Sequence, residues 1–409
     1  MEVGLMGEDR IISITTGDPE LIRNINQALI LDLLRNKGSL SRAQISRRLK
    51  LSKTTVSRVI NDFIDKNLII EVGQGNAKEK GGRKPVMLSI NPSGRFVVGI
   101  DLGTTNTVAA IANLKGELID KIRVPTNRNH SVDTIVSQVA DLVEQLIVKA
   151  KVDRELIEGL GIAEAGVVEN KTGFIDFSPN FNWENVNIAK LLEEKTGVKT
   201  LADNCTRTMA IGEIFHGNGQ GVKNILFINI GYGIGSALII NGKVYNNHSE
   251  FGHIPITNEK IRCSCGKNGC LEAVASGNAI ERKANQMYKD NDNGWITAKA
   301  VAERAHKGDE LALRIFNETG GYLGKGISIV ANVFNPDKII LGGGVSLAGD
   351  ILLKPVLESF NQYTMETIKS TTNLEISPLG MDAGVYGALT MVLNRMIFYT
   401  SFLNTHAIN

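Results

Sequence analysis

The 409-residue sequence predicts an α/β protein in which a small helical head precedes a larger body. Three observations carry that expectation. The charge is uneven: Arg35 to Lys84 holds thirteen Lys/Arg against four Asp/Glu, a local +9, so the remainder stands at −7 within a net of +2. Three apolar, strand-like runs open into glycine turns, at Asp101-Leu-Gly103, Gly231-Tyr-Gly233-Ile-Gly235 and Gly342-Gly-Gly344. Finally, three of the four cysteines, Cys263, Cys265 and Cys270, lie close together, ten residues and more after His253. A basic head on an acidic body points to a polyanion partner for the head alone. With 43% apolar residues, packed cores are expected. No apolar run approaches the roughly 20 residues that span a bilayer. Met1 to Arg10 is polar and acidic, unlike a secretory signal. Reduced, clustered thiols suit the cytoplasm.

The head, residues 20–90, comes first. Ile22, Ile25, Leu29 and Leu33 recur at helical spacing and predict a helix with one apolar face, ended by Asn36-Lys-Gly38. Ser41 stands three residues before Gln44, a capping-box spacing that starts a second helix through Lys50. Ser52 caps a third, whose buried stripe is Val56, Val59, Ile60, Phe63 and Ile64. Its other face presents Lys53, Thr54, Thr55, Ser57, Arg58 and Asn61, side chains able to reach base edges and phosphates from a major groove. Leu68–Val72 and Lys84–Ile90 read as strands around a polar, basic loop, so the module resembles winged helix-turn-helix regulators. Arg83 in that loop is placed for a minor groove. The DNA-contact set is Arg42, Ser52, Lys53, Thr54, Thr55, Ser57, Arg58, Arg83 and Lys84. A helical packing module with a solvated charged face is the alternative.

His253, Cys263, Cys265 and Cys270 are the soft and borderline ligands that zinc prefers, and four of them close its tetrahedral shell. Gly266 and Gly269 permit the tight turns such a loop requires. A Cys-x-Cys spacing argues against a redox pair. The expected site is structural Zn2+ with no open position for catalytic water.

Phe96–Ile111 and Ile225–Ile240 each read as a strand, a glycine turn and a second strand. Either turn alone is weak evidence for phosphate contact, and the second lacks the following helix of a dinucleotide fingerprint. Taken with Glu250-Phe-Gly-His253 and Cys263-x-Cys265-Gly-x-x-Gly-Cys270-x-Glu272, residues 95 to about 395 resemble the ROK family of repressors and sugar kinases. Asp101-x-Gly103-x-Thr105 and Gly231-x-Gly233-x-Gly235 look like that family's phosphate hairpins. The resemblance implies a two-lobed, actin-like α/β body behind the winged helix-turn-helix. The small lobe would span 95–205, completed by a C-terminal helix near 385–400, and the large lobe 206–385. It also implies sugar contacts at Asn180, Asn204, Glu250, His253 and Glu272.

The family's kinases carry their base in Asn-Asp-Ala-Asn before a helix ending Gly-Glu. Registered on Gly212-Glu213, Cys205 occupies the Asp position and Arg207 that of the second Asn. A neutral thiol cannot replace an oriented carboxylate as base. The expectation is therefore no catalytic residue and no nucleotide cofactor. The layout is similar to the family's xylose regulators: a homodimer or higher homo-oligomer on palindromic operator DNA, released by a sugar with xylose as the candidate, and no membrane partner. An ATP-dependent sugar kinase with a fused DNA-binding head is the alternative.

Overall fold

The helix Pro19–Lys37 opens the part of the chain that the computed structural model describes, residues 19–75, 84–245, 249–288 and 294–398. It buries Ile25, Ala28, Ile30, Leu31 and Leu34, whereas Leu29 and Leu33 are half-buried and Ile22 is exposed. The stripe is thus rotated from the one expected. The helix carries apolar residues on adjoining faces, so spacing alone admits two stripes and packing selects one.

The rest of the head follows its local signals. Ser41 caps Arg42–Leu49: its hydroxyl accepts the Gln44 N–H at 3.3 Å while Gln44 Oε1 accepts the Ser41 N–H at 2.8 Å. Ser52 caps Lys53–Asp65, accepting the Thr55 N–H at 3.0 Å. Val56, Val59, Ile60 and Phe63 are buried, and Ile64 is half-buried. Each fully buried side chain of this size contributes about 1.5–3 kcal/mol. The strands Leu40–Ser41, Val86–Ile90 and Ile69–Gln74 form a three-stranded sheet in that order. Arg83 and most of the basic loop lie outside the described residues.

The chain divides into two units. The first comprises the head, the chain to Ile162, Glu169–Ala202 and the chain from Leu389. Its larger sheet orders Thr200–Asn204, Ile157–Glu164, Phe96–Leu102, Asn106–Asn113 and Leu118–Pro125. Phe96–Leu102 and Asn106–Asn113 are an antiparallel pair, with Ile100 opposite Ala109. The turn between them is held by the residue just past the neighbouring strand: Thr126 N–H donates to Thr105 O at 3.0 Å, its hydroxyl donates to Gly103 O at 2.5 Å, and it meets the buried Thr107 hydroxyl at 2.8 Å. Near the end of the described chain, Asn394 Oδ1 accepts from Arg35 of the head at 2.6 Å, and the Arg35 guanidinium sits 4.5 Å from the centre of the buried Phe398 ring. Burial lowers the Arg35 pKa from its ordinary value, with nearby Asp32 opposing.

The second unit comprises Ala163–Val168 and Asp203–Ala388. Its sheet orders Lys243–Val244, Ile234–Ile240, Ile225–Ile230, Lys338–Gly342 and Asn373–Ile376. Ile225–Ile230 pairs antiparallel with Ile234–Ile240 and parallel with Lys338–Gly342, so Asn229 lies between Gly235 and Gly342. Phe316, Leu323, Ile327, Leu341, Val356 and Phe360 belong to the core between this sheet and the helices Glu310–Phe334 and Asp350–Tyr363. Among the described residues, no helix is long and apolar enough to cross a membrane.

Candidate functional site

The third helix of the head keeps Lys53, Thr54, Arg58 and Asn61 exposed, while Thr55 and Ser57 are half-buried. At its start the Ser52 hydroxyl lies 2.8 Å from both the Thr54 and Thr55 hydroxyls. Those groups form one polar cluster on the cap. Arg42 has a different setting: it donates to Asn61 Oδ1 at 2.9 Å and to Ser57 O at 3.4 Å, tying the second helix to the third. Lys84 is exposed at the edge of the described loop. The last turn of the second helix adds exposed Arg47 and Arg48, with exposed Lys50 just beyond. Sequence reasoning did not single these out, although the run of basic residues in a short helix was visible.

In the second unit the ligand atoms of His253, Cys263, Cys265 and Cys270 all lie within 4.8 Å of one another. Cys263 Sγ is 3.4 Å from His253 Nδ1, and Cys265 Sγ is 3.7 Å from Cys270 Sγ. His253 therefore turns Nδ1 toward the sulfurs, and its Nε2 stands 3.8 Å from Glu250 Oε2. The loop is closed by backbone bonds, Cys263 N–H to Lys267 O at 2.8 Å and Gly266 N–H to Cys263 O at 3.0 Å. The Lys267 backbone N–H draws the exposed Cys265 thiol below its ordinary pKa, whereas burial pushes Cys270 up to about 12. This group of four can hold a metal ion.

Glu272 does not project freely from this loop. Its Oε2 accepts the Ile234 N–H at 3.0 Å and its Oε1 accepts the Ser264 hydroxyl at 2.9 Å. Gly233 makes this possible, since a Cβ there would lie 2.4 Å from Oε2. The carboxylate thus joins the Cys/His loop to the glycine turn Gly231–Gly235.

Asn204 caps the helix Cys205–His216, its Oδ1 accepting the Thr206 and Arg207 N–H groups at 2.9 and 3.3 Å. Its Nδ2 donates to Gly166 O at 2.8 Å. One turn on, Arg207 Nε donates to Asp203 Oδ1 at 2.7 Å and a guanidinium N–H to Val168 O at 2.8 Å. The Asp203 and Arg207 side chains are only 3% and 7% exposed. The pairing was not expected from the sequence, because Asp203 lies in the strand Thr200–Asn204 and Arg207 in the helix that follows. Cys205 beside it is half-buried, with Sγ 3.9 Å from Thr206 Oγ1. Thr206 Oγ1 in turn accepts from Asn229 at 3.3 Å, so the helix start meets the strand that enters the glycine turn. Glu250, His253, Glu272 and Asn204 all belong to the second unit, and Asn180 is exposed in a turn of the first.

The ROK family profile matches residues 97–395, and a MarR family profile matches residues 23–78. A xylose repressor of Caldicellulosiruptor bescii is 29% identical over 94% of this chain and all of its own length. A glucokinase of Halalkalibacterium halodurans is 36% identical over 72% of this chain and 94% of its own. The crystal structure of a ROK family transcriptional regulator, a homologue of the E. coli MLC protein, superposes with a TM-score of 0.80 at 25% identity, covering 95% of this chain and all of that one.

Proposed function

We propose that this chain, which belongs to the ROK family, is a sugar-responsive DNA-binding repressor that senses its effector in a kinase-like body without phosphorylating it. The observation that carries this reading is the buried Asp203–Arg207 pair. A sugar kinase needs a carboxylate free to take the proton of the attacking hydroxyl. Asp203, the acid nearest the expected position, spends an oxygen on Arg207 inside the protein, and Cys205 at the position itself has no carboxylate to offer.

The sugar contacts are Glu250, His253, Glu272 and Asn204, all of the second unit. Zinc suits the neighbouring Cys/His group. Sulfurs about 2.3 Å from a tetrahedral zinc stand about 3.8 Å apart, and a sulfur and a ring nitrogen about 3.6 Å apart. The distances of 3.7 and 3.4 Å between these ligand atoms fit. Zinc, when bound, would supply structural cross-linking, and His253 would present Nδ1 to it and keep Nε2 toward Glu250 and the sugar. A homodimer sets two heads on a palindromic operator in the cytoplasm, each reading bases through Lys53–Asp65. Sugar releases the operator, and the named relatives make xylose the first sugar to try.

A sugar panel tested for thermal shift, for operator affinity and for ATP turnover checks this reading. One aldose is expected to stabilise the protein and to weaken operator binding by about 5- to 150-fold, with no turnover. The alternative, a kinase carrying a DNA-binding head, draws on the intact glycine turn and on the glucokinase relative. Phosphorylation near the ordinary kinase range of about 1–100 s⁻¹ would establish it. Arg58→Ala is expected to weaken operator binding and flatten its salt dependence while leaving sugar affinity unchanged. A parallel loss of both would refute the separation of head and body.

A further inference from the structure

Glu272 and Ile234 are 38 residues apart, and the carboxylate joins the Cys/His loop to the glycine turn through one oxygen on each side. The turn is held from a second direction by the same stretch of chain. Gly231 O and Tyr232 O accept the Gly277 and Asn278 N–H groups at 2.8 and 3.2 Å, just beyond the short helix Leu271–Ala275 that carries Glu272. The position of the turn is therefore set by the segment that ends the metal loop.

Two groups lie near Glu272 Oε1 on the metal side: the Ser264 hydroxyl at 2.9 Å and Cys263 Sγ at 3.9 Å. A cysteine binds metal as a thiolate, which accepts hydrogen bonds and repels a carboxylate. With metal in place, Ser264 is the one of the two that still donates. We propose that Ser264 is a positioning residue that couples the metal site to the glycine turn, holding Oε1 so that Oε2 stays on the Ile234 N–H. Its consequence for sugar rests on the function proposed above, because Glu272 is also a sugar contact there. Its consequence for the turn does not.

The full-length, zinc-loaded protein and its Ser264→Ala and Ser264→Thr variants test this by three measurements: zinc content, hydrogen exchange at residues 231–235, and calorimetry with xylose and glucose. Ser264→Ala is expected to keep its zinc, to exchange the Ile234 amide roughly 5- to 10-fold faster and to bind sugar more weakly by a similar factor. Ser264→Thr, which retains the hydroxyl, is expected to restore both. Unchanged exchange in Ser264→Ala overturns the proposal. Loss of zinc in that variant overturns it as well, since the hydroxyl would then serve the metal loop and not Glu272. If the unaltered protein binds no sugar, the proposed function fails while the exchange comparison still decides the role of Ser264.

Discussion

Two of the body's glycine turns share a strand-turn-strand plan and have very different surroundings. Gly103 sits in a turn closed by its own N–H on Asn106 O at 3.1 Å and braced from outside by Thr126, just past the end of the next strand. The turn at Gly231–Gly235 is braced by Glu272, by the N–H groups of Gly277 and Asn278, and through Asn229 and Thr206 by the start of the helix Cys205–His216. One turn is a local feature of a sheet. The other is the point where the Cys/His loop and the capped helix meet. Similar strand-turn-strand sequences thus acquire different roles from what packs against them.

The largest effect expected from breaking this contrast is loss of the metal site. Cys265→Ser, or chelation of the native protein, should accelerate exchange at 231–235 by more than about 100-fold, because structural zinc lends about 10–16 kcal/mol of apparent binding free energy to local folding. Exchange at 103–106 should stay as it was, and equal acceleration of both turns would erase the distinction. Next comes Arg207→Met, which removes the counter-ion of the buried Asp203 carboxylate and should cost about 3–5 kcal/mol in denaturant unfolding. Adding Asp203→Leu should recover most of that loss, as replacement of a buried ion pair by apolar residues is often neutral. Thr126→Val is the matching change at the first turn. It should cost about 1–2 kcal/mol and leave exchange at 231–235 untouched.

The smallest effect concerns Glu213, which accepts from the Ser377 hydroxyl and from the Asn218 N–H at 3.0 Å. Burial raises its pKa above the ordinary carboxylate value, with those hydrogen bonds opposing. A folded-state value above the unfolded one means that this group favours folding most at low pH. That contribution is lost as pH rises from the unfolded value through the raised one. Glu213→Gln should therefore flatten the fall in melting temperature across that window. A steeper fall in the variant would contradict the burial argument.

Much of this was legible because the signals are local. Ser41 with Gln44, by spacing, and Ser52, by residue type, mark their helix starts. The four side chains that could hold a metal, His253, Cys263, Cys265 and Cys270, come from one short stretch of sequence, so the cluster could be read from composition and spacing. The rotation of the first helix was not legible, since Leu29 and Leu33 compete with Leu31 and Leu34 until tertiary packing decides. The Glu272 bond to Ile234 was hidden for another reason: its partner is a backbone N–H, which any residue type supplies. Arg42, one of the expected DNA contacts, also donates to Asn61 Oδ1 and Ser57 O, and the second of these partners is again backbone that any residue type supplies.

Arg35 has a practical bearing on protein engineering. Its guanidinium rests on Phe398 and bonds Asn394, so the head shares an interior joint with a segment encoded more than three hundred and fifty positions downstream. Grafting residues 19–90 onto a different body would leave that cation facing a foreign surface, and the transplant would have to bring its distal counterpart along. Exchangeable specificity in such chimaeras is a property of two separated stretches of gene, not of the first alone.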